Sequence, residues 1–227
     1  MKKQRGSKRS KSAVFLQAGA VAFTLAALLL IPGLARHGAD ASRQQSLQQT
    51  EIADPSELNG DYFCDLVIPG SDIRFPVVRG SDNQKYLHTS FIGEENILGA
   101  IFMDYRCGEA SAPHTIIYGH DARAYDGSRL MFGVLRNYLD EAFIAAHPEI
   151  ELVRNDTAKR FRLFAVKVTD TGDDAYCLDF GAGGRSFEEF AELMGAPANT
   201  KEILTLSTCL GGDGNLRLLV QGALTEE

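Results

Sequence analysis

The hydrophobic residues of this chain follow two different patterns. Residues 13–35 form one continuous apolar stretch without a charged side chain, whereas from Asp61 onward short apolar runs alternate with turn residues. Short runs that are rich in β-branched and aromatic residues and bounded by Gly, Pro or Asp predict β-strands. Eight strands are predicted, over residues 62–68, 73–78, 100–105, 115–118, 149–154, 160–169, 202–208 and 216–224.

Two further segments place their apolar residues three or four positions apart, which is the spacing of a helix with one buried face. The first contains Met131, Val134, Leu135 and Tyr138, and the second contains Phe187, Phe190, Ala191 and Met194 after a capping residue, Ser186. Many short strands with few helices favour a β-barrel or β-sandwich with added helices over a doubly wound sheet. Pro76 has no N–H to donate, so its strand is predicted to be an edge strand or to contain a bulge.

The apolar stretch at 13–35 is long enough to cross a bilayer, because about 20 helical residues span the hydrocarbon core. The residues before it carry six basic side chains and no acidic one, which predicts a cytoplasmic N-terminus and an extracellular domain on the membrane surface. A cleaved signal peptide is the alternative, since small residues that suit cleavage end the stretch. The expected organisation is a basic head at 1–12, a transmembrane anchor at 13–35, a stalk or N-terminal helix at 36–58 and one folded domain at 59–227.

The charge of the chain is unevenly distributed. Beyond the six basic residues of the head, 17 Lys and Arg residues remain against 30 Asp and Glu residues, a net charge of −13. Binding of nucleic acid without sequence preference needs a basic surface, so the acidic body argues against that function. The hydrophobic fraction of 44% is typical of a globular domain with one core.

Three residues are candidates for chemistry because of their places beside predicted strands. Cys209 ends a strand and precedes a glycine-rich loop, so the strand would fix a nucleophile while the loop admits substrate. His120 follows another strand, where an imidazole could act as acid or base towards a thiol. Arg217 begins the last strand, and a hairpin would bring it beside Cys209, where a guanidinium can bind a carbonyl oxygen or an oxyanion.

These residues also have ordinary structural interpretations. Four cysteines in an exported chain would usually form two disulfides. His120 could be a half-buried histidine, and Arg217 could protect an edge strand from aggregation. The remaining histidines are interpreted as stalk, turn or surface residues: His37, His88, His114 and His147. No set of Cys and His residues has the spacing of a zinc site, so no metal is predicted.

The segment Thr205-Leu206-Ser207-Thr208-Cys209, followed by an arginine that opens the next strand, resembles the TLxTC signature of the sortases, the membrane-anchored cysteine transpeptidases of Gram-positive bacteria. Class B is the most similar class. The class B likeness lies in residues 101–106, in Tyr118-Gly119-His120, in Met131-Phe132 with Leu135 and Tyr138, and in the helix before the cysteine strand. The resemblance covers about residues 60–224, and it implies a closed β-barrel of about eight strands with peripheral helices.

The resemblance also implies a mechanism. Cys209 would attack the carbonyl of a threonine in a C-terminal sorting signal of a secreted protein. The acyl group would then pass to an amine of a peptidoglycan cross-bridge or its lipid-linked precursor. His120 would serve as acid and base, Arg217 would stabilise the oxyanion, and no cofactor is needed. Ser207 and Thr205 share a strand face with Cys209 and are candidate substrate contacts.

Two departures from the family pattern stand near these residues. Asp121 follows His120 where the family often has Asn, which puts a carboxylate near the imidazole, and the loop between Cys209 and Arg217 is short for the class. Two other functions also fit the residues. A thiol peptidase would hydrolyse the same signal, and a non-catalytic surface-binding domain would hold its four cysteines in two disulfides.

Overall fold

The computed structural model describes residues 54–107, 113–181, 184–211 and 215–226. The predicted head, the predicted anchor and nearly all of the predicted stalk lie outside the described residues. Within the described ranges, no helix has both the length and the apolar character that crossing a membrane requires.

The core of the domain is a closed β-barrel of eight strands. These are β1 (Tyr62–Val67), β2 (Arg74–Val78), β3 (Ile101–Met103), β4 (His114–Gly119), β7 (Glu149–Arg154), β8 (Thr157–Thr169), β9 (Ile203–Cys209) and β10 (Arg217–Glu226). They close in the order β1-β2-β3-β4-β9-β10-β8-β7. Each corresponds to one strand expected from the sequence, so the prediction of a mainly β closed barrel is confirmed. A separate hairpin, β5 (Asp121–Arg123) with β6 (Arg129–Met131), is not predicted, because three-residue strands are too short to show alternation.

The described helices are few and peripheral: α1 (Pro55–Leu58), α2 (Glu141–Ala146) and α3 (Phe187–Met194). The expected cap of α3 is confirmed, since the Glu189 N–H donates to Ser186 Oγ at 3.2 Å and the Ser186 N–H donates to Glu189 Oε2 at 2.9 Å. The other expected helix is a 3-10 helix, Phe132–Leu139, and Met131 belongs to β6 instead.

Alternation along the last two strands separates two environments. Leu204 and Leu206 of β9 pack in the barrel core with Leu218 and Val220 of β10. The intervening side chains of β9 lie on the outer face, where the connection between β8 and α3 covers them. Thr205 and Ser207 of β9 therefore lie outside the apolar core although they are shielded from solvent.

The expectation that the strand of Pro76 lies at an edge or contains a bulge is wrong. β2 lies between β1 and β3, and the irregularity in its pairing with β1 falls between Tyr62 and Cys64. β3 pairs with β2 only from Val77 onward. Since no ladder hydrogen bond towards β3 is required at Pro76, the missing N–H is tolerated.

Candidate active site

Cys209 and Arg217 face each other across the final two strands. They are register partners in the antiparallel pair β9–β10. The Leu210 N–H donates to the Leu216 carbonyl at 2.8 Å and closes the connection just beyond them. Both side chains are half-buried. The ladder therefore fixes the two backbones while the thiol and the guanidinium stay within reach of a substrate.

His120 lies beside Cys209 because their strands are parallel neighbours. Gly119 of β4 is the register partner of Thr208 in β9, so the next residues leave the sheet side by side. Thr208 Oγ1 also donates to the Gly119 carbonyl at 2.8 Å, which joins the two strand ends. The structure thus brings together the three residues that the sequence proposes for chemistry.

The glycine before His120 is required by close packing. A Cβ at Gly119 would lie 2.4 Å from Ile101 Cδ1 and 2.7 Å from Phe132 Cγ. Contacts this short do not occur in folded proteins, so a side chain here would displace the end of β4. The absence of a side chain at Gly119 therefore helps to define the position of His120.

The ring of His120 is held by a backbone carbonyl and by a neighbouring ring. Its Nε2 lies 2.9 Å from the carbonyl oxygen of Leu87, and its ring stacks on the exposed His88 at a centroid distance of 6.4 Å. The neighbouring carboxylate of Asp121 accepts hydrogen bonds from Arg136, including one of 3.0 Å from Nε. The acidic group that departs from the family pattern is therefore engaged by an arginine.

A cavity of about 360 Å³ opens at these strand ends, and Cys209, His120 and Arg217 all line it. Ser207 and Thr208 line it from β9, and Tyr176 lines it from the connection between β8 and α3. The half-buried Cys209 remains accessible from this cavity.

A buried carboxylate joins several residues of the cavity wall. Asp104 accepts hydrogen bonds from Arg106 Nη2 at 2.8 Å, Asn83 Nδ2 at 2.9 Å and the Tyr118 hydroxyl at 2.9 Å. All three donors line the cavity. Burial opposes ionisation of Asp104, but these hydrogen bonds outweigh it and lower its pKa to about 2. The sequence shows the acidic residue within a motif but not that it joins three cavity residues.

The two predicted substrate contacts lie in different places. Ser207 lines the cavity, and its Oγ lies 2.8 Å from the hydroxyl of Tyr176. Thr205 is fully buried, and its Oγ1 bonds with His114 Nε2 at 2.8 Å and Gln221 Nε2 at 3.0 Å. The residues that line the cavity do not include Thr205, so the geometry assigns it a structural contact instead of one with substrate.

His114 and Tyr176 are the residues of this region that the sequence does not single out. His114 is expected at the surface, but it is only 1% exposed. Burial raises the pKa of Tyr176 and lowers that of His114 to about 4. In the sequence, His114 stands only at the start of an apolar strand. This position does not predict that another segment buries its side chain.

All four cysteines lie in the described part of the chain, and each thiol is free. Cys64 and Cys107 are buried, and burial raises the pKa of both thiols, that of Cys107 to about 11. Such thiols are poor nucleophiles because the thiolate is the reactive form. The alternative of a non-catalytic domain predicts two disulfides, and the free thiols do not agree with it. Cys209 is the thiol that lines the cavity.

Comparisons with known proteins agree with this architecture. A sequence model of the sortase domain matches residues 66–225. Sortase B of Listeria monocytogenes is 36% identical over 169 residues, which cover 70% of this chain and 67% of that protein. The crystal structure of Clostridium perfringens sortase B, 25% identical, superposes with a TM-score of 0.65 and covers 76% of this chain and 98% of its own.

A Staphylococcus aureus sortase B structure with bound substrate shares the fold, with a TM-score of 0.66, 24% identity and coverage of 85% of this chain and 94% of its own. The chain therefore belongs to the sortase family, the cysteine transpeptidases that anchor proteins to the cell wall. Within that family it is a class B sortase.

Proposed function

We propose that this chain cleaves a C-terminal sorting signal after a threonine in secreted proteins and transfers the acyl group to an amine of peptidoglycan. The observation that carries the proposal is the meeting of Cys209, His120 and Arg217 around one cavity at the ends of three neighbouring strands. Nucleophile, acid–base group and oxyanion donor are the parts that acyl transfer through a thioester requires.

In the first half-reaction, the Cys209 thiolate attacks the carbonyl carbon of the threonine. Negative charge develops on the carbonyl oxygen, and the Arg217 guanidinium stabilises it. The tetrahedral intermediate then collapses: the C–N bond breaks, and the protonated His120 gives its proton to the departing amine. The product is a thioester between Cys209 and the shortened protein.

In the second half-reaction, the acceptor amine attacks the thioester carbonyl. His120, now neutral, removes a proton from the attacking nitrogen, a C–N bond forms, and the C–S bond breaks to return the Cys209 thiolate. One imidazole serves both steps because the second step is the reverse of the first with a different amine. The enzyme thus returns to its starting state, with a protonated His120 and a Cys209 thiolate.

The hydrogen bond to Leu87 supports a particular nitrogen for this role. A carbonyl oxygen only accepts, so Nε2 of His120 carries a proton in the 2.9 Å contact with Leu87. Nδ1 is therefore the nitrogen that gains and loses the transferred proton. The Leu87 carbonyl then acts as an orienting acceptor for the ring.

The partners and location follow from the same proposal. The donor substrates are secreted proteins with a sorting signal, and the acceptor is a peptidoglycan cross-bridge amine or its lipid-linked precursor. Residues 13–35 anchor the chain in the cell membrane with a cytoplasmic N-terminus, so that the catalytic domain works outside the cell. A membrane-bound enzyme of this kind would meet both substrates at the surface where secretion and wall assembly occur.

The test uses the full chain in detergent, with Cys209→Ala as the matched inactive variant. The protein is first treated with a methanethiosulfonate reagent and analysed by intact mass and peptide mapping, where modification should be fastest at Cys209. It is then given a library of threonine-containing peptides with and without triglycine or diaminopimelate. A ligated product supports transfer. Hydrolysis without any ligated product, even in the presence of added amine, would instead identify a thiol peptidase. Turnover by Cys209→Ala would show that Cys209 is not the nucleophile.

A further inference from the structure

We propose that His114 is a positioning residue for the substrate cavity, holding the 170–180 segment against the outer face of β9 and thereby placing Tyr176 in the cavity wall. The effect of this positioning on substrate binding rests on the proposed function. His114 begins β4, at the opposite end of that strand from His120. It therefore acts at a distance, through the segment that it holds.

Both ring nitrogens of His114 are engaged. Nδ1 lies 2.8 Å from the carbonyl oxygen of Cys177, and Nε2 lies 2.8 Å from Oγ1 of Thr205. The carbonyl only accepts, so Nδ1 is the donor, and Nε2 of the neutral ring accepts from the Thr205 hydroxyl. Oγ1 of Thr205 accepts in turn from Nε2 of Gln221 at 3.0 Å. The direction of this chain of bonds fixes the tautomer of His114 and aims its single N–H at the 170–180 segment.

The apolar surroundings strengthen the bond to the segment. The ring of Phe190 lies 4.8 Å from that of His114 between centroids, and the ring of Phe180 lies 6.4 Å away. These rings exclude water from the imidazole, and a hydrogen bond in such surroundings has no solvent competitor. The loss of the donor would leave the Cys177 carbonyl without this partner on a half-buried segment.

The held carbonyl is adjacent to a cavity residue. Cys177 directly follows Tyr176, whose hydroxyl bonds with Ser207 Oγ at 2.8 Å, and both Tyr176 and Ser207 line the cavity with Cys209. The segment is thus attached to the outer face of β9 by its backbone through His114 and by its side chain through Ser207. These two hydrogen bonds add to the packing of Tyr176 and Leu178 on the barrel core, and together they set the position of Tyr176 and the direction of its ring.

The start of the segment has a separate attachment. The carboxylate of Asp173 accepts from Lys167 Nζ at 2.8 Å and from the Thr169 hydroxyl at 2.5 Å, which joins it to the end of β8. The loss of the His114 bond should therefore loosen residues 174–180 while residues 170–173 stay in place. This local pattern distinguishes positioning from a general loss of stability.

Substitutions at two positions separate the bonds of His114. An asparagine at 114 has an amide nitrogen near the place of Nδ1 and keeps the bond to Cys177, whereas a glutamine reaches towards Thr205 and loses it. His114→Leu removes both bonds, whereas Thr205→Val removes the bonds of Thr205 to His114 and Gln221 and leaves the bond of His114 to Cys177. We expect His114→Asn and Thr205→Val to keep KM for a sorting peptide within about threefold of the wild type. His114→Gln and His114→Leu should raise KM about tenfold and change kcat less, since they lose the part-buried hydrogen bond that holds Cys177 next to Tyr176.

Hydrogen exchange on the full chain in detergent gives a readout that does not depend on turnover. Peptides within 174–180 should exchange faster in His114→Gln and His114→Leu than in His114→Asn, with the barrel strands unchanged. Wild-type KM and wild-type exchange in His114→Gln would overturn the proposal. Faster exchange spread equally over the barrel in every variant would also overturn it, because His114 would then be only a core residue. A wild-type protein that ligates no peptide would defeat the proposed function, while the exchange data would still decide whether His114 holds the segment.

Discussion

Arg217 is the direct strand partner of Cys209, at the end of the ladder between β9 and β10. The pairing places the backbone of a permanently charged arginine beside that of the thiol, and Arg217 Nη1 donates to the Leu216 carbonyl at 3.0 Å. In the proposed reaction, an arginine at this position binds the oxygen on which negative charge develops. Both the charge and the forked shape of the side chain should therefore matter.

Arg217→Gln should lower kcat/KM by about 10²- to 10³-fold, because it removes the oxyanion donor while the fold is kept. Arg217→Lys should recover part of the loss, since it restores the charge without the fork. The measurement is steady-state cleavage of a sorting peptide. Arg162→Gln is the matched control, because this arginine also pairs with β10 and its side chain is 63% exposed. The activity of this variant should stay within about twofold of the wild type. Near-normal activity of Arg217→Gln would exclude the proposed role.

Gly119→Ala should displace His120 and destabilise the barrel. The new Cβ would collide with Ile101 and Phe132, so we expect a loss of about 1–3 kcal/mol in the free energy of unfolding together with reduced turnover. Urea denaturation and peptide cleavage measure the two effects. Gly60→Ala is the control, since no atom lies within 4 Å of its added Cβ. Unchanged stability and activity in Gly119→Ala would show that β4 can move without cost.

Asp104→Asn tests the carboxylate behind the cavity wall. The variant leaves Arg106 without its charged partner, and we expect the free energy of unfolding at pH 7 to fall by about 1–3 kcal/mol. The pKa of Asp104 is lowered from 3.8 to about 2, so its contribution is present above pH 4 and lost as the pH falls from about 4 to about 2. Denaturation between pH 7 and pH 2 should show this loss in the wild type and not in Asp104→Asn. Asp72 is exposed, so Asp72→Asn is the control and should show the same pH dependence of stability as the wild type. Parallel plots of unfolding free energy against pH for Asp104→Asn and the wild type would contradict the prediction.

His114 should make the free energy of unfolding depend on pH over a higher pH range than Asp104 does. Burial lowers its pKa from 6.5 to about 4, so the unfolded chain binds a proton more readily than the folded one between these values. The contribution of the neutral ring is present above pH 6.5 and is lost as the pH falls towards 4, by on the order of 3 kcal/mol. Urea denaturation at pH 7, 6, 5 and 4.5 should show a smaller fall in His114→Asn than in the wild type. Equal falls in the two proteins would mean that His114 accepts a proton without breaking its contacts.

Much of the fold could be read from local pattern because the determining forces are local. All eight barrel strands appear as short β-branched and aromatic runs, and the cap of α3 appears as Ser186 followed three residues later by Glu189. The 3-10 helix Phe132–Leu139 and the Pro76 strand were predicted less well. In both cases the outcome depends on which neighbours pack or pair there, and spacing along the chain does not contain that information.

The candidate site divides in the same way. Cys209, His120 and Arg217 were identified from their places at strand ends, and the short hairpin made the approach of Cys209 and Arg217 predictable. The approach of His120 to Cys209 required the parallel pairing of β4 and β9, which joins residues 89 positions apart. Thr205 gained its partners from other segments of the chain, and Asp104 gained Asn83 and Tyr118 in the same way, whereas its partner Arg106 is only two residues along the chain.

The amino-acid sequence by itself determined the order of the strands along the chain, the family and the three residues proposed for chemistry. These depend on side-chain type, period and short motifs, all of which are present in the unfolded chain. Only the tertiary structure decided that His114 is buried, that Thr205 lies away from the cavity and that Asp104 joins three residues of its wall. The physical reason is that burial and hydrogen bonding belong to pairs of segments, so they exist only once the barrel has closed and the connection between β8 and α3 has packed on β9.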